Sequence, residues 1–470
     1  MQQNLIDALA AIAGSDAVLT GELAAPYCTD WRGRYSGNAL AVVLPSNTGQ
    51  VAEVARLCAD YQIAIVPQGG NTSLCGASVP LTQSPMEGQI VLNLSRMNRI
   101  RDIDPDNYTM TVEAGCKLAD VREAAEQSNR FFPLGLTATQ KFCEIGGNLS
   151  TNAGGINVLR YGNARDLVLG LEVVLPDGRI WNGLRRLRKD NSGYDLKHLF
   201  MGAEGTLGII TAAVLKLFPR PQTEATACVA VRDPAVAVAL LAHLRANCGD
   251  RISAFEIISR SSLDLVFKHM PDTREPFAEK YEWIVITQLA DVQIAPLDTV
   301  LHDALQSFGD GIIEFGVTTN KDQAESWWKL RKSISEAQKR EGISIKHDVS
   351  VPVSRVAEFI ARAGAELQQT FPGIRIVAFG HMGDGNIHYN ISMLDAKRNP
   401  AFISEQEAAV NKIVYAAVRE LNGSISAEHG VGQLKRTTLR EHKDPLELEL
   451  MRTVKQALDP HGLMNPGKVL

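Results

Sequence analysis

The stretch Pro67-Gln-Gly-Gly-Asn-Thr-Ser-Leu-Cys-Gly-Ala-Ser-Val-Pro80 is a glycine-rich loop that directly follows a predicted strand at 63–66. An earlier strand is predicted at 39–44, and a helix starts at residue 48 and continues through 58, where apolar residues recur with a helical period. Glycines leave backbone N–H groups uncovered, so such a loop can bind phosphate oxygens without a lysine. It matches neither the Walker A motif nor GxGxxG. A plain flexible loop is the alternative.

Two further stretches have the same small-residue character. They are Gly146-Gly-Asn-Leu-Ser-Thr-Asn-Ala-Gly-Gly155, with Tyr161-Gly162 after it, and Gly202-Ala-Glu-Gly-Thr-Leu-Gly-Ile-Ile210. A hairpin is predicted between them, with strands at 171–175 and 179–181 around Pro176-Asp-Gly178. Separate glycine-rich stretches suggest the walls around one extended anionic cofactor. We expect a domain boundary after the prolines at 219 and 221.

A second motif, Phe379-Gly-His-Met-Gly-Asp-Gly-Asn-Ile-His-Tyr-Asn390, has apolar, β-prone residues on both sides of a Gly-Asp-Gly turn. It predicts a hairpin in which His381 and His388 face each other. Two imidazoles on paired strands can start a divalent metal site, and Glu428 in Ser426-Ala-Glu-His-Gly430 is the best candidate third ligand. Two ordinary histidines in a turn are the alternative.

Size and composition narrow the class of protein. The 470 residues are enough for two or three domains, and 45% hydrophobic with 21% charged residues is ordinary for a globular protein. A net charge of −5 does not favour a nucleic-acid partner. The seven cysteines form no CxxC pair, so we expect reduced thiols in a cytoplasmic protein. We expect neither a secretory signal nor a transmembrane segment, since no uncharged apolar run approaches about 20 residues.

Residues 223–421 differ in character from the first part of the chain. Strands predicted at 228–231, 252–258, 283–289 and 312–316 alternate with helices at 234–247, 259–268 and 295–307. This pattern indicates an α+β domain with an antiparallel sheet. A long helix at 322–341 carries Arg331 and Ser335 on one side, and Lys346 follows on a strand at 343–349. On periodicity alone Arg331 is a solvated surface residue.

The three glycine-rich stretches together resemble the FAD-binding domain of the vanillyl-alcohol oxidase type. The resemblance implies an extended FAD with its pyrophosphate on the first two stretches. Asn71 follows the glycine pair where relatives that tether flavin often carry histidine, so we expect non-covalent FAD. The residues expected to bind FAD are Pro67, Gly69, Gly70, Asn71, Thr72, Ser73, Gly76, Ser78, Gly146, Gly147, Ser150, Asn152, Ala153, Gly154, Gly155, Tyr161, Glu204, Gly205, Gly208, Ile210, Asn465 and Lys468.

The C-terminal motifs Trp328–Ser335, Lys346–Pro352, Gly380–Asn390 and Ala427–Gly432 narrow this resemblance to the D-2-hydroxyacid dehydrogenases of the flavin superfamily. Their reaction removes a hydroxyl proton and passes a hydride to flavin N5. A divalent metal on His381, His388 and Glu428 can bind the hydroxyl and α-carboxylate, with zinc the first candidate and manganese and cobalt as alternatives. His429 is then the natural base. A fourth ligand or a structural histidine is the alternative role for His429.

The resemblance also implies a substrate. Arg331, Ser335, where the family usually has threonine, and Lys346 would hold a distal carboxylate, and Asn390 would contact the α-carboxylate end. Two cations favour a dicarboxylate, D-2-hydroxyglutarate first and D-malate second. Dehydrogenation of D-lactate or glycolate is the alternative activity, and a non-catalytic flavoprotein is the alternative outside the enzymes. The implied electron acceptor is an electron-transfer flavoprotein or a quinone-linked carrier, and a homodimer is among the assemblies left open.

The expected fold is α+β. It consists of an FAD-binding domain at 1–222, a substrate or cap domain at 223–421 that carries the metal hairpin, and a C-terminal segment at 422–470 that returns to the FAD-binding domain.

Overall fold

The computed structural model describes residues 2–136 and 139–470. By its contacts the chain forms two compact units. Unit 1 comprises residues 1–154, 162–220 and 428–470, and unit 2 comprises 155–161 and 221–427. The last 43 residues therefore belong to the same unit as the N-terminal part of the chain.

Unit 1 is built on two sheets. A mixed four-stranded sheet has the order β1-β2-β4-β3, and an antiparallel five-stranded sheet has the order β5-β6-β10-β8-β9. A two-stranded pair, β7 with β11, completes the set in the described residues. The strands of unit 1 are β1 (Val18–Leu19), β2 (Val42–Val43), β3 (Ala64–Gln68), β4 (Gln89–Asn93), β5 (Ile100–Asp104), β6 (Thr109–Glu113), β7 (Arg130–Phe131), β8 (Val168–Val174), β9 (Ile180–Gly183), β10 (Ile209–Lys216) and β11 (Phe218–Pro219).

Helices α1 and α2 pack on the mixed sheet of unit 1, and their apolar sides share one buried core with it. Asn47 caps α2 by accepting the N–H of Gln50, which satisfies a donor at the helix start. Helix numbers follow the whole chain, so α5 and α7–α12 belong to unit 2. The helices of unit 1 are α1 (Gln2–Ala13), α2 (Thr48–Asp60), α3 (Leu118–Gln127), α4 (Ile145–Ser150), α6 (Lys197–Phe200), α13 (Arg436–His442) and α14 (Pro445–Leu458).

The C-terminal segment joins the mixed sheet of unit 1 at strand β3. The N–H of Ile65 donates to Leu463 O at 2.8 Å, and the N–H of Asn465 donates to Ile65 O at 2.8 Å. These bonds form a parallel bridge between Ile65 and Met464. Strand β3 therefore has the C-terminal segment on one edge and β4 on the other.

Unit 2 contains one seven-stranded sheet of order β15-β12-β14-β13-β17-β18-β16, in which every pair is antiparallel. Its elements are α5 (Val158–Tyr161), β12 (Thr223–Val231), α7 (Pro234–Cys248), β13 (Ile252–Ser259), α8 (Arg260–His269), β14 (Trp283–Asp291), α9 (Leu297–Phe308), β15 (Ile312–Thr318), α10 (Lys321–Glu341), β16 (Ile345–Ser350), α11 (Val356–Thr370), β17 (Ile374–Gly380), β18 (Asn386–Met393) and α12 (Asn399–Glu420). Trp327, Trp328 and Ile334 of α10 pack on the sheet in a core that includes Val377 and Phe379.

The predicted α+β fold with an antiparallel sheet in its second part is confirmed. The strand predicted at 39–44 is shorter, because only Val42 and Val43 pair. All seven cysteines are buried, and none of them forms a disulfide. Among the described helices, none combines the length and the apolar character that crossing a bilayer requires.

Candidate active site

The first glycine-rich stretch, the loop at 67–80, is stabilised by hydrogen bonds from its own side chains. Gln68, at the end of β3, donates from Nε2 to the carbonyl oxygens of Tyr27 at 2.8 Å and Ser78 at 2.7 Å. Asn71 accepts the Ser78 hydroxyl and donates to Thr29 O, with a backbone φ of 52°. Two residues assigned to cofactor binding, Asn71 and Ser78, thus shape the loop.

The second and third glycine-rich stretches contact each other in unit 1 through their backbones. The N–H of Gly202 donates to Leu149 O at 3.0 Å, and the N–H of Glu204 donates to Ser150 O at 2.8 Å. Both acceptors lie on α4, the short helix that begins the second stretch. The sequence analysis predicted that these stretches line one site, and the structure places them in hydrogen-bond contact.

Glu204 links four segments of unit 1. Its buried carboxylate accepts the N–H groups of Val431 at 2.7 Å and Gly432 at 2.8 Å. Asn465 donates from Nδ2 to Glu204 O at 2.7 Å and to Ala77 O at 3.0 Å. Burial raises the pKa of Glu204, and the two N–H groups oppose that rise. Glu204 and Asn465, both assigned to cofactor binding, therefore also fasten the third stretch to the C-terminal segment and the first loop.

Glycines leave a cradle between the first and second stretches. A Cβ added at Gly69 would lie 3.3 Å from Glu144 Oε2 and 3.5 Å from the backbone nitrogen of Gly147, whereas one added at Gly147 would meet nothing within 4 Å. A Cβ at Gly70 would lie 1.9 Å from Phe142 O. Side chains at Gly69 and Gly70 would therefore crowd the opposite segment, whereas the space where a Gly147 side chain would lie is open.

Buried polar groups of unit 1 also suit an anionic cofactor. Glu144 Oε2 and Asn465 Oδ1 are buried and have no hydrogen-bond partner among the residues described. Burial raises the pKa of Glu144 to about 8, so this carboxyl is mainly protonated at neutral pH. Burial lowers the pKa of Lys468 to about 7, and the nearby charge of Arg436 lowers it further. A neutral carboxyl, a buried lysine and a cradle free of side chains fit the pyrophosphate and ribose groups of FAD.

One face of the unit 2 sheet collects the polar side chains predicted to bind substrate and metal. Lys346 of β16 pairs with Asn390 of β18, and Asp348 pairs with His388. Directly paired residues, and residues two apart on one strand, share a face of the sheet. Phe379 of β17 pairs with His388 from the other side, and the Arg331 guanidinium lies 4.8 Å from the Phe379 ring centroid. Arg331 and Lys346 therefore lie on the face that presents His388 and Asn390.

Arg331 is not a solvated surface residue. Its side chain is 11% exposed and forms an ion pair with Glu256 of β13, whose side chain is 1% exposed. Glu256 also pairs with Nδ1 of His381. Burial would raise the pKa of Glu256, but the charges of Arg331 and His381 outweigh it and lower this pKa to about 2. Since Nε of Arg331 faces Glu256, the two Nη groups are the ones that could meet a substrate carboxylate.

The two histidines of the hairpin lie side by side, with ring centroids 5.7 Å apart. His381 does not pair across the ladder, because β17 ends at Gly380 and His381 begins the turn. Nδ1 of His381 faces Glu256, and Nδ1 of His388 lies 3.8 Å from Asp348 Oδ1. A carboxylate beside Nδ1 orients an imidazole so that Nε2 can bind a metal. This donor set fits a divalent first-row ion.

The remaining predicted residues are distributed over both units. Ser335 is exposed on α10, one turn after Arg331. Gly155 and Tyr161 belong to unit 2. Glu428 and His429 are half-buried in unit 1 and lie in bends rather than on a strand.

Sequence reasoning missed Glu256, which orients both Arg331 and His381. The one available signal was a lone carboxylate in the otherwise uncharged strand Ile-Ser-Ala-Phe-Glu-Ile-Ile-Ser at 252–259. It also missed Gln338, whose Oε1 accepts Nδ2 of Asn390 at 2.9 Å. Gln338 follows Arg331 by two helical turns, but nothing in the sequence of α10 marks it.

Comparisons with known proteins identify the family of this chain. The family "FAD binding domain" matches residues 39–183, and the family "FAD linked oxidases, C-terminal domain" matches residues 220–469. A D-2-hydroxyglutarate dehydrogenase of Xanthomonas citri pv. viticola is 37% identical over 94% of this chain and 92% of its own length. The mitochondrial enzyme of that name from Arabidopsis thaliana is 36% identical over 94% of this chain and 77% of its length. A D-2-hydroxyglutarate–pyruvate transhydrogenase of Saccharomyces cerevisiae is 33% identical over 98% and 92%.

The fold is shared with more distant flavoproteins of known structure. Substrate-bound p-cresol methylhydroxylase superposes with a TM-score of 0.76 at 19% identity, over 99% of this chain and 96% of that one. The 4-ethylphenol oxidase of Gulosibacter chungangensis gives 0.75 at 20% identity, over 99% and 96%. At these identities the likeness concerns the fold alone. The family models and the relatives above show that this chain belongs to the FAD-dependent D-2-hydroxyacid dehydrogenases, and its fold is that of the vanillyl-alcohol oxidase-type flavoproteins.

Proposed function

We propose that this chain oxidises D-2-hydroxyglutarate, and D-malate as a second substrate, to the corresponding 2-oxoacid. The observation that carries the proposal is the face of unit 2 on which Lys346 and Arg331 accompany Asn390 and His388. Two cations suit a substrate with a second carboxylate, and the curated relatives named above support the five-carbon acid. D-Lactate and glycolate end in groups that neither cation would attract.

The residues divide the work of the reaction. FAD supplies the two-electron acceptor, and a divalent metal, zinc before manganese or cobalt, supplies a Lewis acid that lowers the pKa of the substrate hydroxyl. His381, His388 and Glu428 hold the metal. Glu428 follows Ala427, whose N–H donates to Asp348 O at 3.2 Å.

His429 would accept the proton of the substrate hydroxyl. FAD held by the glycine-rich stretches would supply the acceptor for the hydride from C2, so that the C–O single bond of the substrate becomes a carbonyl. Arg331, Ser335 and Lys346 hold the far carboxylate, and Asn390 contacts the α-carboxylate end. This division would hold the substrate by both ends.

Anaerobic flavin reduction tests the proposed function. We expect D-2-hydroxyglutarate to bleach the visible flavin absorbance at the lowest concentration, D-malate at a higher one, and D-lactate and glycolate hardly at all. Bleaching by D-lactate at the lowest concentration would refute a dicarboxylate substrate.

Pyruvate added to the reduced protein tests the electron acceptor, since a 33% identical relative is named for transfer to pyruvate. Reoxidation would favour a 2-oxoacid over the electron-transfer flavoprotein or quinone-linked carrier that we propose.

Lys346→Ala should separate dicarboxylates from monocarboxylates. A charge-assisted hydrogen bond contributes roughly 1.5–3 kcal/mol, so kcat/KM for D-2-hydroxyglutarate should fall about 10- to 150-fold, whereas weak activity on D-lactate should change little. Lys332→Ala, at an exposed position of α10, is the control and should leave both substrates unaffected. Metal content must be matched in all samples. Equal losses on the two substrates would assign Lys346 to the common α-hydroxy-carboxylate end or to the fold.

Glu144→Gln should change the pH dependence of FAD binding. In the apoprotein Glu144 loses its proton above about pH 8 and becomes a buried negative charge beside the cradle. If only the protonated form accepts FAD, the Kd at pH 9 should be about tenfold higher than at pH 7, and Glu144→Gln should remove most of that rise. Fluorescence titration of apoprotein with FAD measures it. Glu126→Gln, at an exposed site of α3, controls for lost charge. A rise of the same size in Glu144→Gln would show that another group, such as Lys468, causes it.

A further inference from the structure

Unit 2 has a small cavity between helices α8 and α10 and the face of the sheet that carries Asn390. Its volume is about 10 Å³, and Gln338, Ser344, Asn390 and Asn399 are among the residues that line it. Gln338 Nε2, Ser344 Oγ and Asn399 Nδ2 are buried without a hydrogen-bond partner among the described residues. Three unsatisfied polar atoms around one cavity are costly unless something in the cavity satisfies them.

Backbone groups fix which way each amide points. The N–H of His347 can only donate, and it donates to Asn390 Oδ1 at 3.2 Å. Asn390 must therefore donate from Nδ2, and Gln338 Oε1 accepts at 2.9 Å. That leaves Gln338 Nε2 on the cavity side. Likewise the N–H of Met393 donates to Asn399 Oδ1 at 2.8 Å, so that Nδ2 of Asn399 is the other donor.

The contents of the cavity follow from these donors. Two amide N–H groups and a hydroxyl require an acceptor with two lone pairs, which excludes a metal cation. Glu341 also lines the cavity and is ionised, since Lys268, His269 and Arg375 outweigh the effect of burial and lower its pKa to about 2. Its charge disfavours an anion, and the volume is close to the ~10–15 Å³ that a single water needs. The oxygen of one water can accept from both amides while a hydrogen is donated to Ser344 Oγ.

We propose that one structural water occupies this cavity and that Gln338 is a positioning residue for Asn390. The water holds Gln338 by Nε2, and Gln338 Oε1 holds Nδ2 of Asn390, while the His347 N–H fixes Asn390 Oδ1. The orientation of the Asn390 amide is thereby fixed at both Oδ1 and Nδ2 before substrate binds. The role of Gln338 rests on the proposed function, because it requires Asn390 to contact the α-carboxylate end of the substrate. The water itself does not depend on that function.

A crystal structure of the FAD-loaded enzyme that resolves ordered water tests the first part. We expect a single water within about 3.2 Å of both Gln338 Nε2 and Asn399 Nδ2, with or without substrate. An empty cavity, a bound ion or a rearranged Gln338 amide would overturn the water site. In an Asn399→Leu variant, which removes one donor and fills space, the water should be absent.

Kinetics of Gln338→Leu test the second part. Losing the acceptor for Asn390 should raise KM for D-2-hydroxyglutarate about tenfold, with kcat changed less than about threefold and FAD content unchanged. Gln323→Leu, at an exposed position of the same helix, is the matched control and should leave KM unaltered. A lowered Tm with unchanged KM would reduce Gln338 to a structural role. If Asn390→Ala also leaves KM unchanged, the substrate role of Asn390 fails, while the water result stands or falls separately.

Discussion

Glu256→Ala should lower the affinity of the protein for its divalent metal about 10- to 100-fold, because the carboxylate that orients His381 is lost. The same change leaves the Arg331 guanidinium without its counter-charge in a largely buried position. Removing one partner of a buried ion pair typically costs roughly 3–5 kcal/mol of unfolding free energy. Metal analysis after dialysis against a weak chelator, together with denaturant unfolding, measures the two effects.

Three further variants separate these effects. Glu336→Ala breaks the exposed Glu336–Arg340 pair on α10, the helix that carries Arg331. It should lower the unfolding free energy by about 1 kcal/mol or less, with no change in metal affinity. Replacing both partners, as Glu256→Leu with Arg331→Met, should recover most of the stability but neither metal affinity nor substrate binding. Glu256→Asp should restore part of the metal affinity. Unchanged metal affinity in a folded Glu256→Ala protein would mean that His381 either binds no metal or needs no orienting carboxylate.

His429→Asn should reduce kcat by 10²–10⁴, the range in which general-base catalysis contributes, and should change substrate binding far less. Stopped-flow flavin reduction under anaerobic conditions, over a range of substrate concentrations, measures both the limiting rate and the apparent substrate affinity, on samples with matched FAD and metal content.

His302→Asn is a suitable control, since this side chain is 51% exposed in unit 2. A loss of less than about tenfold in His429→Asn would assign proton removal to another group, such as a metal-bound hydroxide. Loss of metal together with activity would instead support the alternative role of His429 as a fourth ligand.

Local patterns in the sequence were sufficient for much of unit 2. The strands of the hairpin and the helix carrying Arg331 are where periodicity predicted them, because each is long and apolar on one side. The strands β4, β5 and β6 of unit 1 were not predicted. Each has five residues, and β5 has the mixed sequence Ile-Arg-Asp-Ile-Asp, in which charge obscures the pattern of burial.

The partners of the predicted site residues could not be obtained in this way. Glu256 reaches His381 because β13 pairs with β17, and Ile257 is aligned with Gly380 across more than a hundred residues of intervening chain. The helical period predicted a solvated Arg331, because the period depends only on the sequence of the helix. It carries no information about the Glu256 carboxylate on strand β13. Assigning Asn390 to substrate likewise gave no sign that Gln338 and the His347 N–H already hold its amide.

The bridge between Ile65 and Met464 has a consequence for biosynthesis. Strand β3 appears early on the ribosome, but Met464, the neighbour on one of its edges, is translated 399 residues after Ile65 (464 − 65). Unit 2, whose last residue is Ala427, can complete its sheet before that neighbour has been made. Until that neighbour has been translated, one edge of strand β3 in nascent unit 1 stays exposed. Exposed strand edges promote aggregation and chaperone binding.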